Sequence, residues 1–122
     1  MRVILSIKPE YANKIFDGTK KYEFRRTIFK DTTVKTVIVY ASSPMQKVIG
    51  EFEIDIILND GLNDLWEQTK DFAGITQDYF YEYFSQKQEG YAIKIKNVQR
   101  YLQPLCLKDE YNVSPPQSFL YV

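Results

Sequence analysis

The order in which two periodicities follow one another along the chain constrains its fold more than any other feature. Residues 50–56 read Gly-Glu-Phe-Glu-Ile-Asp-Ile, with Phe52, Ile54 and Ile56 to one side and Glu51, Glu53 and Asp55 to the other. That two-residue repeat predicts a strand with one buried and one wet face, the habit of antiparallel sheets. Residues 91–98 repeat it, setting Tyr91, Ile93 and Ile95 against Ala92, Lys94 and Lys96. Residues 3–7 and 36–41 are short, nearly continuous apolar runs, expected to be strands covered on both faces. Between them, residues 21–26 alternate, with Tyr22 and Phe24 inward and Glu23 and Arg25 sharing the other face. Gly50 inside a strand predicts a bulge or a close backbone approach.

Helical spacing is confined to three stretches. Tyr11, Ala12, Ile15 and Phe16 lie between Pro9, suited to a first turn, and Gly18, suited to a left-handed stop. Leu62, Leu65 and Trp66 form a second stripe. Tyr79, Phe80, Tyr83 and Phe84 form a third behind Thr76, a natural N-cap, and are expected in the core. The tail from Gln103 reads as irregular. Strand and helix do not alternate in the order β-α-β-β-β-α-α-β, which argues against a doubly wound parallel sheet. The expected class is α+β: a small, mostly antiparallel β-barrel of about five strands with flanking helices, closed so that no edge is left open. With 122 residues and no repeat or linker, the chain is expected to be one domain over 1–122.

Chemistry is bounded by what is missing. There is no histidine, which removes Ser-His-Asp and Cys-His couples and His-ligated metal sites. The single cysteine, Cys106, forms no internal disulfide and no multi-cysteine zinc cage. No metal or other cofactor is expected. Any catalysis falls to Lys, Glu, Asp, Tyr, Ser or Thr. No apolar run reaches the ~18 residues of a membrane span, and the start lacks a signal-like stretch, so a cytoplasmic protein is expected.

Sixteen basic and sixteen acidic side chains cancel. Their distribution is uneven. Residues 14–30 hold six basic side chains against two acidic ones, and residues 60–89 hold seven acidic against two basic. Overall neutrality argues against a tight, non-specific duplex binder, whereas a local cationic face suits a pocket for one nucleotide or a short strand.

Within the basic stretch, Gly18-Thr19-Lys20-Lys21-Tyr22-Glu23-Phe24-Arg25 carries the spacing G-x-K-x-x-E-x-R between a helix stop and a strand. Together with Tyr40-Ala41-Ser42-Ser43-Pro44, Val48-Ile49-Gly50-Glu51, the run from Phe80 to Ile95 and Pro115-Pro116-Gln117-Ser118-Phe119, it resembles the ASCH domain family of the PUA-like group over nearly the whole chain. The resemblance implies a β-barrel with a cleft lined by the motif residues that takes RNA or a nucleotide-like ligand.

The candidate ligand-binding residues are Lys20, Glu23, Arg25, Ser43, Pro44, Gln117 and Ser118. A lysine in a partly dry cleft holds a phosphate or, with its pKa lowered, acts as a base. Arg25 offers a planar donor fork, and Glu23 accepts from an amine. Strict alternation puts Lys20 opposite Glu23, so the two share a cleft only if residues 18–20 are still turn. The first alternative function is a hydrolase, either nucleoside amidohydrolase-like or a ribonuclease, with Lys20 and Glu23 as the catalytic acid and base. The amidohydrolase branch of the family looks to need a threonine where this chain has Glu23, which counts against that branch. A second alternative is a protein-interaction adaptor working through the acidic face.

Overall fold

The computed structural model describes all residues, 1–122. Strand β1 (Arg2–Ile7) runs into helix α1 (Pro9–Asp17), followed by β2 (Tyr22–Arg25), β3 (Thr36–Ala41) and the long β4 (Lys47–Gly61). Helices α2 (Leu62–Thr69) and α3 (Gln77–Tyr83) precede the equally long β5 (Glu89–Leu105), and α4 (Leu107–Tyr111) and β6 (Phe119–Tyr121) complete the chain. The six strands make one sheet in the order β2-β5-β4-β3-β1-β6. Only β1 and β3 are parallel to each other; every other pairing is antiparallel.

The local signals act as their chemistry predicts. Pro9 opens α1, and Gly18 ends it at φ 89°, a left-handed backbone that glycine adopts without the strain a side chain brings. Thr76 caps α3, its hydroxyl accepting from the Tyr79 N–H. The central strands are covered on both sides. Val3, Leu5, Val37 and Val39 join Phe52 and Ile93 in a core under α1, which contributes Ala12 and Ile15. On the other face Ile4, Ile38, Tyr40 and Val48 pack with Leu107 of α4. A third cluster, Phe24, Leu65, Trp66, Phe80, Phe84 and Ala92, seats α2 and α3 on β2 and β5.

Three expectations are corrected. There are six strands, because the tail is not irregular: β5 runs on to Leu105, and β6 pairs with β1 through Val3↔Tyr121 and Leu5↔Phe119. Ile56 does not point inward. The β4–β5 register shifts between Ile54 and Ile57, and this irregularity turns Ile56 out to 50% exposure. Lastly, the sheet is a curled half-barrel rather than a closed barrel. Its edge strands are short, β2 with four residues and β6 with three, and side chains rather than a backbone ladder bridge the gap between them. The sharp curl comes from the register shifts of β4 and β5. Gly50 sits at one of them, where a Cβ would lie 2.5 Å from the Gln99 carbonyl oxygen and the Phe16 ring. No helix is long and apolar enough to cross a membrane.

Candidate functional site

The turn after α1 decides where Lys20 goes. Thr19 is tied to Asp17, its N–H and hydroxyl both donating to Oδ1 at 2.9 and 2.7 Å. The N–H groups of Thr19 and Lys20 then donate to the Lys14 carbonyl at 3.1 and 3.0 Å. Strand β2 begins only at Tyr22, so Lys20 escapes the strand alternation and turns to the same side as Glu23. Both line a cavity of about 810 Å³ that opens between β2, the β1–α1 junction, α3 and the tail.

Lys20 is 2% exposed, and its Nζ donates to the Ala73 carbonyl at 2.7 Å. Its ammonium also lies 4.9 Å from the Phe24 ring centre and 5.6 Å from that of Tyr11. Burial lowers its pKa to about 8; the Glu23 carboxylate opposes the shift and the Lys14 charge adds to it. Burial likewise pushes the Glu23 carboxyl up, against the pull of Lys20 and Arg25. The two groups are thus drawn toward each other on the pH scale without forming an ion pair. The cation nearest Glu23 is Arg25, with Nη1 3.6 Å from Oε2, too far for a good hydrogen bond. Glu23 therefore keeps acceptor capacity.

Arg25 spends part of its fork elsewhere. Its Nη2 donates to the Ser118 carbonyl at 2.7 Å and to the Ser118 hydroxyl at 3.2 Å, while Ser6 Oγ donates to the Pro116 carbonyl at 2.7 Å. These bonds strap the tail between β1 and β2, and Gln117 and Ser118 become cavity wall. Ser43 and Pro44 do not line the cavity. The Ser42 N–H still donates to the Ile7 carbonyl, so the chain reverses beyond the end of β1 and carries both residues, exposed, to the outside.

Sequence reasoning missed much of the opposite wall. Phe80 and Phe84 are fully buried as expected, but Tyr79 and Tyr83 are half-buried and face the cavity with Tyr11. The signal was the residue type: phenylalanine takes the dry side of α3 and tyrosine the wet one. Burial raises the Tyr11 hydroxyl to about 12 and also raises that of Tyr83. Lys8, Arg26 and Lys87 also line the cavity, which holds five basic side chains and one acidic, Glu23. None of the acidic residues between 60 and 89 lines it.

The ASCH domain family matches residues 5–104. The ASCH domain-containing ribonuclease of Zymomonas mobilis is 28% identical over 123 residues, covering 98% of this chain and 82% of that protein. The crystal structure of ASCH from Zymomonas mobilis superposes with a TM-score of 0.91 at 28% identity, covering 99% of this chain and 87% of that one. The ATP synthase subunit alpha of Ureaplasma parvum is 31% identical over 121 residues, and this chain spans only 15% of its length.

Proposed function

This chain belongs to the ASCH domain family, and on that premise we propose that it binds RNA or a nucleotide-like ligand in the cavity where Lys20, Glu23 and Arg25 meet. The observation that carries this reading is the burial of Lys20 and Glu23 on one wall, unpaired with each other and open to the cavity. Such burial costs stability, and strongly shifted groups gathered in a cleft are a mark of functional sites. Lys20 donates to a phosphate or carbonyl oxygen, and Glu23 accepts from a base amine. Arg25 acts as a positioning residue, holding Glu23 on one side and the Gln117–Ser118 rim on the other. Titration with short single-stranded RNAs tests this: binding should weaken with salt and be lost in Lys20→Ala and Glu23→Gln. Flat curves across a panel of single-stranded and structured RNAs would overturn it.

A second reading is cleavage of RNA at the same residues, favoured by the likeness to a protein named as a ribonuclease and by the converging pKa values of Lys20 and Glu23. In that reaction the neutral Lys20 amine takes the proton of a 2′-hydroxyl, and the 2′-oxygen attacks the adjacent phosphorus. The 5′-oxygen leaves with a proton from the protonated Glu23 carboxyl, giving a 2′,3′-cyclic phosphate. Glu23→Gln should abolish cleavage of an oligoribonucleotide by the purified protein. Cleavage that persists in both Glu23→Gln and Lys20→Ala would overturn this reading.

A further inference from the structure

We propose that Lys8, Tyr79, Tyr83 and Arg26 form a track for single-stranded RNA beside the nucleotide held at Lys20 and Glu23, so that the ligand is a stretch of strand rather than a free nucleotide. The proposal rests on the reading of the cavity just given and extends it to the neighbouring nucleotides.

The track begins with α3. Because Phe80 and Phe84 fill the buried side of this helix, Tyr79 and Tyr83 stand one turn apart on its cavity side. Their rings lie within 11° of parallel, with centres 6.5 Å apart. Bases stack at about 3.4 Å, so this spacing is close to two steps of a stacked strand. Both rings are held in place before any ligand arrives. Tyr83 donates its hydroxyl to the Phe24 carbonyl at 3.2 Å, and Tyr79 leans on the Tyr11 ring at 5.5 Å.

A cation covers each ring. Lys8 Nζ lies 5.7 Å from the Tyr79 centre, and Arg26 Cζ lies 4.9 Å from that of Tyr83. Both cations are exposed, and neither takes part in any of the protein's ion pairs. Each ring of the pair thus has its own cation, the combination of aromatic rings and backbone charges that single strands require. A mononucleotide needs one stacking face and one phosphate site. This wall offers two aromatic rings and two cations, in a cavity whose 810 Å³ lies toward the upper end of the roughly 300–1,000 Å³ usual for ligand pockets.

Affinity as a function of strand length tests the track. Wild-type protein is titrated with cytidine 5′-monophosphate and with oligocytidylates of three and five residues, each at several salt concentrations. The pentamer should bind at least about tenfold tighter than the monomer. Its plot of log affinity against log salt should steepen by about 0.7 for each added phosphate contact. The double variant Lys8→Gln, Arg26→Gln should keep the monomer affinity while losing most of the length increment and the extra salt slope. Tyr79→Leu should lose the part of the increment that stacking supplies. Equal affinity for monomer and pentamer, or an increment untouched by the double variant, would overturn the track while leaving the cavity reading intact. Failure of every ribonucleotide to bind the wild-type protein would overturn both.

Discussion

The stem of Lys20 lies against the α-carbon of Gly74, so close that a Cβ at Gly74 would fall 2.6 Å from both Cβ and Cγ of the lysine. Gly74 also adopts φ +69°, and its carbonyl accepts from Lys14 Nζ at 3.2 Å, while the neighbouring Ala73 carbonyl receives Lys20 itself. The loop after α2 is thus the seat of the buried lysine.

Gly74→Ala should therefore act twice. The left-handed backbone costs a non-glycine residue roughly 1–2 kcal/mol, and the added methyl group forces the Lys20 stem aside. A lower midpoint in chemical denaturation, together with RNA affinity reduced toward that of Lys20→Ala, is the expected outcome. Unchanged affinity would mean that the position of Lys20 does not govern binding.

The depressed pKa of Lys20 sets a pH window. Between about 8, its folded value, and 10.5, its ordinary value, the unfolded chain holds a proton that the folded one has released. Stability contributed by this group therefore rises with pH across that window and is flat below it. Relative to Lys20→Met, the wild-type protein should gain about 3 kcal/mol from pH 8 to 10.5, at 1.36 kcal/mol per pKa unit. Paired denaturant titrations across this range would measure the gain. Binding of an RNA phosphate should weaken around pH 8, the folded value, where the ammonium loses its charge.

Arg25 should prove a strap rather than a ligand contact. Strand β6 is three residues long, and the approach to it is held by Arg25 on Ser118 and Ser6 on Pro116. Arg25→Ala should speed amide exchange and proteolysis in residues 112–118 and weaken binding. Ser118→Ala, which removes only the longer 3.2 Å bond, should change stability by less than about 0.5 kcal/mol. Equal protection of the tail in wild type and Arg25→Ala would show that β6 alone secures it.

The strands and helices were legible because their periodicities are local: Phe52 and Ile54, or Phe80 and Phe84, declare a face within one segment. The G-x-K-x-x-E-x-R spacing likewise brought Lys20, Glu23 and Arg25 to notice. What stayed hidden depends on where distant segments meet. Ile56 faces solvent because of a register shift between β4 and β5 that nothing in residues 50–56 announces. The tail could not be read as α4 and β6 because β6 exists only through its pairing with β1. Ala73 and Gly74 carry no chemical signal until Lys20, 53 and 54 positions away, is seen lying on them.

Glu23→Gln separates the cost of a buried charge from its use. Glu23 is 7% exposed, and burial holds its pKa above the ordinary 4.5. From 4.5 up to the folded value, the folded chain keeps a proton that the unfolded one has lost, so the stability tied to this group falls as pH rises. Glutamine has nearly the same shape and cannot ionise. Relative to the variant, the wild-type protein should therefore lose stability as pH climbs above about 4.5, until the carboxyl of the folded chain has ionised. Denaturant midpoints of both proteins at a series of pH values between 4 and 8 would reveal the trend. The variant should match or exceed the wild type in stability at pH 7 while losing RNA binding, because the amide presents one acceptor oxygen and a donor where the carboxylate presents two acceptors. A variant less stable than the wild type at pH 7 would show instead that the Glu23 charge supports the fold through Arg25, 3.6 Å away.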